Sequence, residues 1–142
     1  MQATKKATRQ LQKVYDFLDH QGGTIITDRP DYWWNLALEL EETMDGNREA
    51  RIGVFRDLNG DIVFDPVFYL ALRMDGDRIT EADIEMYMSQ AGFMDLLIDR
   101  NDRVITGFPG EKDEHGLRRR FSAFMDNITG AGPYLESGRV QR

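Results

Sequence analysis

The residues best suited to chemistry are the acids around one Asn-Gly turn. Asp57, Asn59 and Asp61 occupy alternate positions, as the first three ligands of a calcium loop do. Such a loop then needs a glycine, and a carboxylate at its twelfth place; here those places hold Ile62 and Phe68. Asp75-Gly76-Asp77-Arg78-Ile79 matches the later half of the same pattern, but Leu72 and Met74 then fall where ligands belong. Asp61 and Asp65 are four residues apart, about 13 Å along an ideal strand. That is too far to share a proton or one metal ion, and beyond the about 5–9.5 Å of glycosidase pairs. A bulge at Pro66 would shorten it, which keeps a small enzyme or metal-binding protein built on Asp57, Asp61 and Asp65 as an alternative.

Other reactive groups are sparse. The chain has no cysteine, so it has no thiol nucleophile, disulfide or thiolate zinc site. His20 falls at the end of a helical stretch, where an imidazolium complements the dipole, and His115 begins another. No nucleophile elbow, P-loop or dinucleotide fingerprint occurs. No catalytic residue, cofactor or metal ligand is therefore assigned, and the balance falls against an enzyme.

Two clusters suit binding instead. Trp33 and Trp34 are adjacent, so on a strand one indole enters the core and the other faces outward, as an interface anchor or beneath a terminal helix. Arg118, Arg119 and Arg120 form the densest basic run. On a helix they fan about 100° apart, either as a phosphate or acidic-partner site or as a solvated arc beside buried Leu117 and Phe121.

Charge narrows the partner. The 142 residues carry 18 Lys+Arg and 25 Asp+Glu, a net charge of −7. Residues 21–103 hold eighteen acids against eight cations, while the stretches on either side are mildly basic. This argues against nucleic-acid binding, which needs clustered cations. It suits a protein partner, or an acidic inhibitor that imitates nucleic acid. No segment approaches the roughly 18–20 apolar residues of a membrane helix, and the N-terminal stretch lacks an apolar signal core, so the expected location is cytoplasmic. Oligomeric state is not readable.

These residues need elements to position them. Leu11, Val14, Tyr15 and Leu18 recur at helical steps, predicting a helix over 4–20 ended by Gly22 and Gly23. Thr24 to Thr27 reads as a strand. Residues 33–42 fit a helix face through Trp33, Leu36, Ala37 and Leu40, or a strand through Leu36, Leu38 and Leu40. The hairpin chemistry of Asp45-Gly46-Asn47, with the alternating run at 51–55 beyond it, favours strand. Asn59-Gly60 predicts a type I′ turn, after which residues 62–64 and 67–72 read as strand around Pro66, which marks a bulge, an edge or a break. Thr80 as N-cap, with Ile84, Tyr87, Met88 and Ala91, predicts a middle helix closed by Gly92. Residues 94–98 and 104–108 form a hairpin candidate around Asp99 to Asp102. Leu117, Phe121, Phe124, Met125 and Ile128 predict a last helix over about 113–129. The expected fold is α+β: a curved antiparallel β-meander of four to five strands plus a hairpin, packed by N-terminal, middle and C-terminal helices. Residues 1–129 form one domain, and 130–142 a tail docked through Tyr134 and Leu135.

The run Asn59-Gly60-Asp61-Ile62-Val63-Phe64-Asp65-Pro66, preceded by the apolar strand 52–56, resembles the core of a family of small uncharacterised proteins of bacterial phages, plasmids and other mobile elements. The motif residues are Asn59, Gly60, Asp61, Ile62, Asp65 and Pro66, and the likeness spans about residues 36–72. Phe55 and Arg56 stand where that family often has an aromatic pair. The family has no established activity, so the resemblance implies context alone: an accessory protein of mobile DNA. The combined expectation is a non-enzymatic protein-binding module.

Overall fold

The computed structural model describes residues 1–29, 33–91, 94–99, 104–106 and 116–142. The element order is α1 (Lys5–Phe17), β1 (Gly23–Ile26), β2 (Asn35–Glu42), β3 (Arg48–Leu58), β4 (Asp61–Asp75), β5 (Arg78–Ala91), β6 (Met94–Asp99), β7 (Val104–Thr106), α2 (Gly116–Asp126), a π-helical turn (Asn127–Ala131), α3 (Tyr134–Ser137) and β8 (Arg139–Gln141). The fold is α+β. The described strands form one antiparallel sheet in the order β7-β6-β5-β4-β3-β2-β1-β8. From β1 to β7 each strand pairs with its sequence neighbour, as short antiparallel connections favour.

Hairpin chemistry sets the register. Gly46, Asn59 and Gly60 take positive φ of 82°, 56° and 91° at the first two tight turns. Asp57 Oδ1 accepts from the Gly60 amide at 2.8 Å and closes the second. Residues 35–42 are strand, paired with β3 from Asn35↔Phe55 to Glu42↔Arg48.

The middle helix is not formed: residues 78–91 are strand β5. Two register shifts against β4 explain the helical appearance of its sequence. Thr80 and Glu85 are the additional residues at these bulges, so the inward side chains fall at Ile79, Ala82, Ile84 and Tyr87. Steps of three, two and three mimic helical spacing, although each bulge merely inserts one residue into a period of two. Thr80 caps nothing; its hydroxyl donates to the Arg73 carbonyl oxygen across the pair at 3.1 Å.

Thr4 Oγ1 accepts from the Ala7 amide and starts α1, as an N-cap should. Gly22 and Gly23 do not supply its left-handed end. Asp19 and His20 do, with φ of 55° and 62°. The His20 ring is held by Asp16 at 3.0 Å and Asp77 at 3.4 Å, and these contacts offset the cost of positive φ. His20 therefore closes α1 by pairing with carboxylates.

α1 and α2 pack on one face of the sheet. Leu11 and Val14 from α1 with its C-cap Leu18, and Leu117, Phe121 and Met125 from α2, join Leu36, Leu38, Ile52, Phe68 and Leu70 in the core. Phe68 is the aromatic centre, with Tyr87, Phe121 and Phe124 rings 4.9–5.3 Å away. Burying each such side chain contributes about 1.5–3 kcal/mol. The last helix ends as α-helix at Asp126 and continues as a π turn; its expected start at 113–115 lies outside the described residues, as does His115. Residues 94–99 and 104–106 do pair, while the turn joining them lies outside the description. The stretch expected as a tail contributes α3 and β8. β8 pairs with β1 at Ile25↔Val140, and Tyr134 is buried in the core. Three residues of added strand were too short to show in the sequence pattern.

Candidate functional site

The face of the sheet turned away from α1 and α2 carries the residues that alternate with the core positions. Glu39 pairs across to Arg51 and on to Tyr69, and Tyr69 to Met86. Two pairs further along, on the same face, Glu41 stands directly opposite Glu49. Together with Glu85 these side chains line a groove of about 590 Å³. Glu85 reaches it because it sits in the β5 bulge, which re-aims one side chain.

Among the described residues the groove has one cation and four carboxylates. Arg51 Nη2 lies 2.6 Å from the Glu39 carboxylate, and its guanidinium carbon sits 4.7 Å from the Phe64 ring centroid. Arg51 is thereby committed. Among the described residues Glu41, Glu49 and Glu85 form no ion pair. Partial desolvation, then the charges of Glu85 and Glu41, push the Glu49 carboxyl above its ordinary range. Like charges directly opposite on a ladder are destabilising, so this face holds unrelieved repulsion. Among the described residues no group of three or more acids or histidines is placed to hold a metal ion.

A second concavity opens on the helix side, at the far end of β3 and β4. The register between them shifts after Gly53: Asp65 and Pro66 lie opposite the single residue Val54. Gly53 permits this approach, since a Cβ there would lie 2.6 Å from the Pro66 carbonyl oxygen. The Asp65-Pro66 peptide is cis. Around this bulge Trp33, Trp34, Val54, Asp65, Pro66, Phe124, Asn127, Ile128 and Tyr134 enclose a cleft of about 290 Å³. Trp33 meets Tyr134 edge-on, with centroids 6.1 Å apart and planes at 84°. The Tyr134 hydroxyl donates to the Trp34 carbonyl oxygen, and burial pushes its pKa up to about 12. Ser89 Oγ donates to Asp65 Oδ1 at 2.5 Å.

The structure thus brings together four residues that the sequence singled out separately: Trp33, Trp34, Asp65 and Pro66. The tryptophans do not divide between core and solvent as strand residues would, because they precede β2. Both are half-buried, Trp33 against Tyr134 and Trp34 beneath the Arg56 guanidinium at 4.8 Å. Asn59, Gly60 and Asp61 remain at the exposed hairpin tip. Arg118, Arg119 and Arg120 spread as their helical spacing requires. Arg118 Nε donates to the Gln2 carbonyl oxygen at 2.9 Å, and Arg120 sits 5.6 Å from the Tyr87 ring centroid. Leu117 and Phe121 are buried beside them. None of the three lines either concavity.

Reading the sequence missed Glu39, Glu41, Glu49, Glu85 and Tyr69. The hairpin register implied by Asp45-Gly46 would have placed Glu41 opposite Glu49, but the expected middle helix kept Glu85 away from them. Asn127 gave no signal because it belongs to a π turn, and Tyr134 was expected only as a docking contact of the tail, not as a wall of a cleft.

No helix among the described residues is long and apolar enough to cross a membrane. The chain matches no family model, no curated protein and no solved structure.

Proposed function

We propose that the protein is a non-enzymatic binding module whose outer sheet face receives a cationic, apolar-flanked segment of a partner protein. The resemblance to phage and plasmid proteins extends this to an accessory role for mobile DNA in the cytoplasm. One observation carries the reading: Glu41, Glu49 and Glu85 line one groove without a paired cation among the described residues, and the charges of Glu85 and Glu41 act against that of Glu49. Lysines or arginines laid along the groove would offset those charges. Tyr69 and Met86 offer apolar surface for the intervening side chains.

The test is fluorescence anisotropy with a labelled peptide of alternating lysine and leucine. Binding should weaken steeply as salt rises, since exposed charges are screened within about 8–10 Å. The combined change Glu41→Gln, Glu49→Gln and Glu85→Gln should weaken it at least about tenfold, as loss of complementary charge does. Equal affinity for the triple variant, or no salt dependence, contradicts the reading.

A further inference from the structure

The outer groove and the outward side of α1 carry charge of opposite sign on opposite sides of the molecule. We propose that the cationic segment received by the groove is α1 of a second copy of this chain, so that copies associate head to tail. This rests on the groove receiving a cationic segment at all. Lys5, Arg9 and Lys13 follow one another at steps of four along α1. Such steps place them in one row, turned away from the buried Ala7, Leu11 and Val14, and all three are exposed. Among the described residues none of the three forms an ion pair, whereas the neighbouring Lys6 is engaged by Asp126 at 3.2 Å.

Charge and dimensions both point to this occupant. Lys5 lies in the first turn of α1, which holds no acid, and there the positive end of the helix dipole opposes a cation. In the groove the charges of Glu85 and Glu41 act against that of Glu49. Docking one surface on the other offsets both. Lys5 to Lys13 spans about 12 Å along the helix axis. Glu41 on β2, Glu49 on β3 and Glu85 on β5 lie across three strand spacings, about 14 Å. A helix laid across the strands therefore brings its cations within reach of the three acids, and their aliphatic stems cover Tyr69 and Met86. Asp16, near the end of the same side of α1, is already held by Gln12 and His20. Because α1 packs on the inner face of the sheet, its row cannot reach the groove of its own copy. The contact joins two different surfaces, so it generates rings or open chains of copies.

Sedimentation velocity of the unaltered chain is the first test. Its mean mass should rise with concentration at about 0.01 M salt and return to the monomer's at about 1 M, as the screening length drops from about 30 Å to about 3 Å. Two variants then separate the surfaces: Lys5→Gln with Arg9→Gln and Lys13→Gln, and Glu41→Gln with Glu49→Gln and Glu85→Gln, each checked for a cooperative melt. Either variant alone should need at least about tenfold more protein to associate. Mixed, the two retain one matching pair of surfaces and should form a dimer and nothing larger. A monomer at every concentration in low salt, assembly indifferent to salt, either variant associating as readily as the unaltered chain, or a mixture that stays monomeric would overturn the assignment. The lysine–leucine peptide distinguishes the two levels of failure. Peptide binding by a chain that stays monomeric excludes the second copy and leaves the groove a receptor for another cationic segment; absence of peptide binding as well removes both.

Discussion

The two concavities lie on opposite faces of the same strands and are built on opposite terms. The cleft walls are core residues seen from their edge: Phe124, Ile128 and Tyr134 are nearly or fully buried and also hold α2 and α3 to the sheet. The outer groove is rimmed by Glu41, Glu49 and Glu85, which form no ion pair among the described residues, and the charges of Glu85 and Glu41 act against that of Glu49. Both sites sit at β-bulges, where one inserted residue turns a side chain away from its expected face. The contrast teaches that a bulge serves two ends here. At Asp65-Pro66 it bends the chain to close a cleft. At Glu85 it adds charge to a surface.

Substitutions should separate the two regions by sign as well as size. Phe124→Ala removes a cleft wall that packs on Phe68, and urea denaturation should show a loss of about 3–5 kcal/mol. Gly53→Ala drives a methyl group into the Pro66 carbonyl; the same measurement should show about 1–3 kcal/mol lost. A neutral result would mean the bulge relaxes freely and does not define the cleft.

Tyr134→Phe removes the donor to the Trp34 carbonyl and should cost about 1–3 kcal/mol at neutral pH. It also has an alkaline signature. An exposed tyrosine ionises near 10, whereas burial holds Tyr134 to about 12. Between those values the unfolded chain releases a proton that the folded chain retains, so stability falls as pH rises through the window. The Phe variant should lack that part of the alkaline loss, and identical alkaline profiles would show that Tyr134 is not held neutral.

Glu49→Gln should have the smallest effect and the opposite sign, a gain of about 0.5 kcal/mol at pH 7. The folded chain holds the Glu49 proton more tightly than the unfolded chain does. Its destabilising charge is therefore relieved as pH falls through the raised folded value, and the advantage of Gln should vanish at acid pH. Thermal melts at both pH values measure this. A loss of stability at pH 7 would put Glu49 in a structural role and remove the contrast.

Much of the framework was legible because local chemistry fixed it. Asn59-Gly60 demands positive φ, and that one turn sets the pairing of β3 with β4. The stripe from Leu117 to Ile128 reads as helix because its spacing has no competing period. The failures share a cause. At β5 two inserted residues turned an alternating strand into an apparent helix, hiding Glu85. At Trp33 and Trp34 an adjacent pair was read by strand alternation although the strand begins one residue later. In each case tertiary pairing decided the face, and sequence spacing carries no direct record of it. The net charge of residues 21–103 was legible as a sum, but its concentration at Glu41, Glu49 and Glu85 arises only once β2, β3 and β5 lie in one sheet.

The central claim is that the outer face, and not the cleft, receives a cationic segment. Amide resonance mapping of the labelled protein during titration with the lysine–leucine peptide tests it most directly. The account predicts saturable shifts at residues 39–41, 49–51, 69 and 85–86, with residues 33–34 and 124–128 unmoved. Shifts confined to the cleft, or no saturable shift on the outer face, would contradict it.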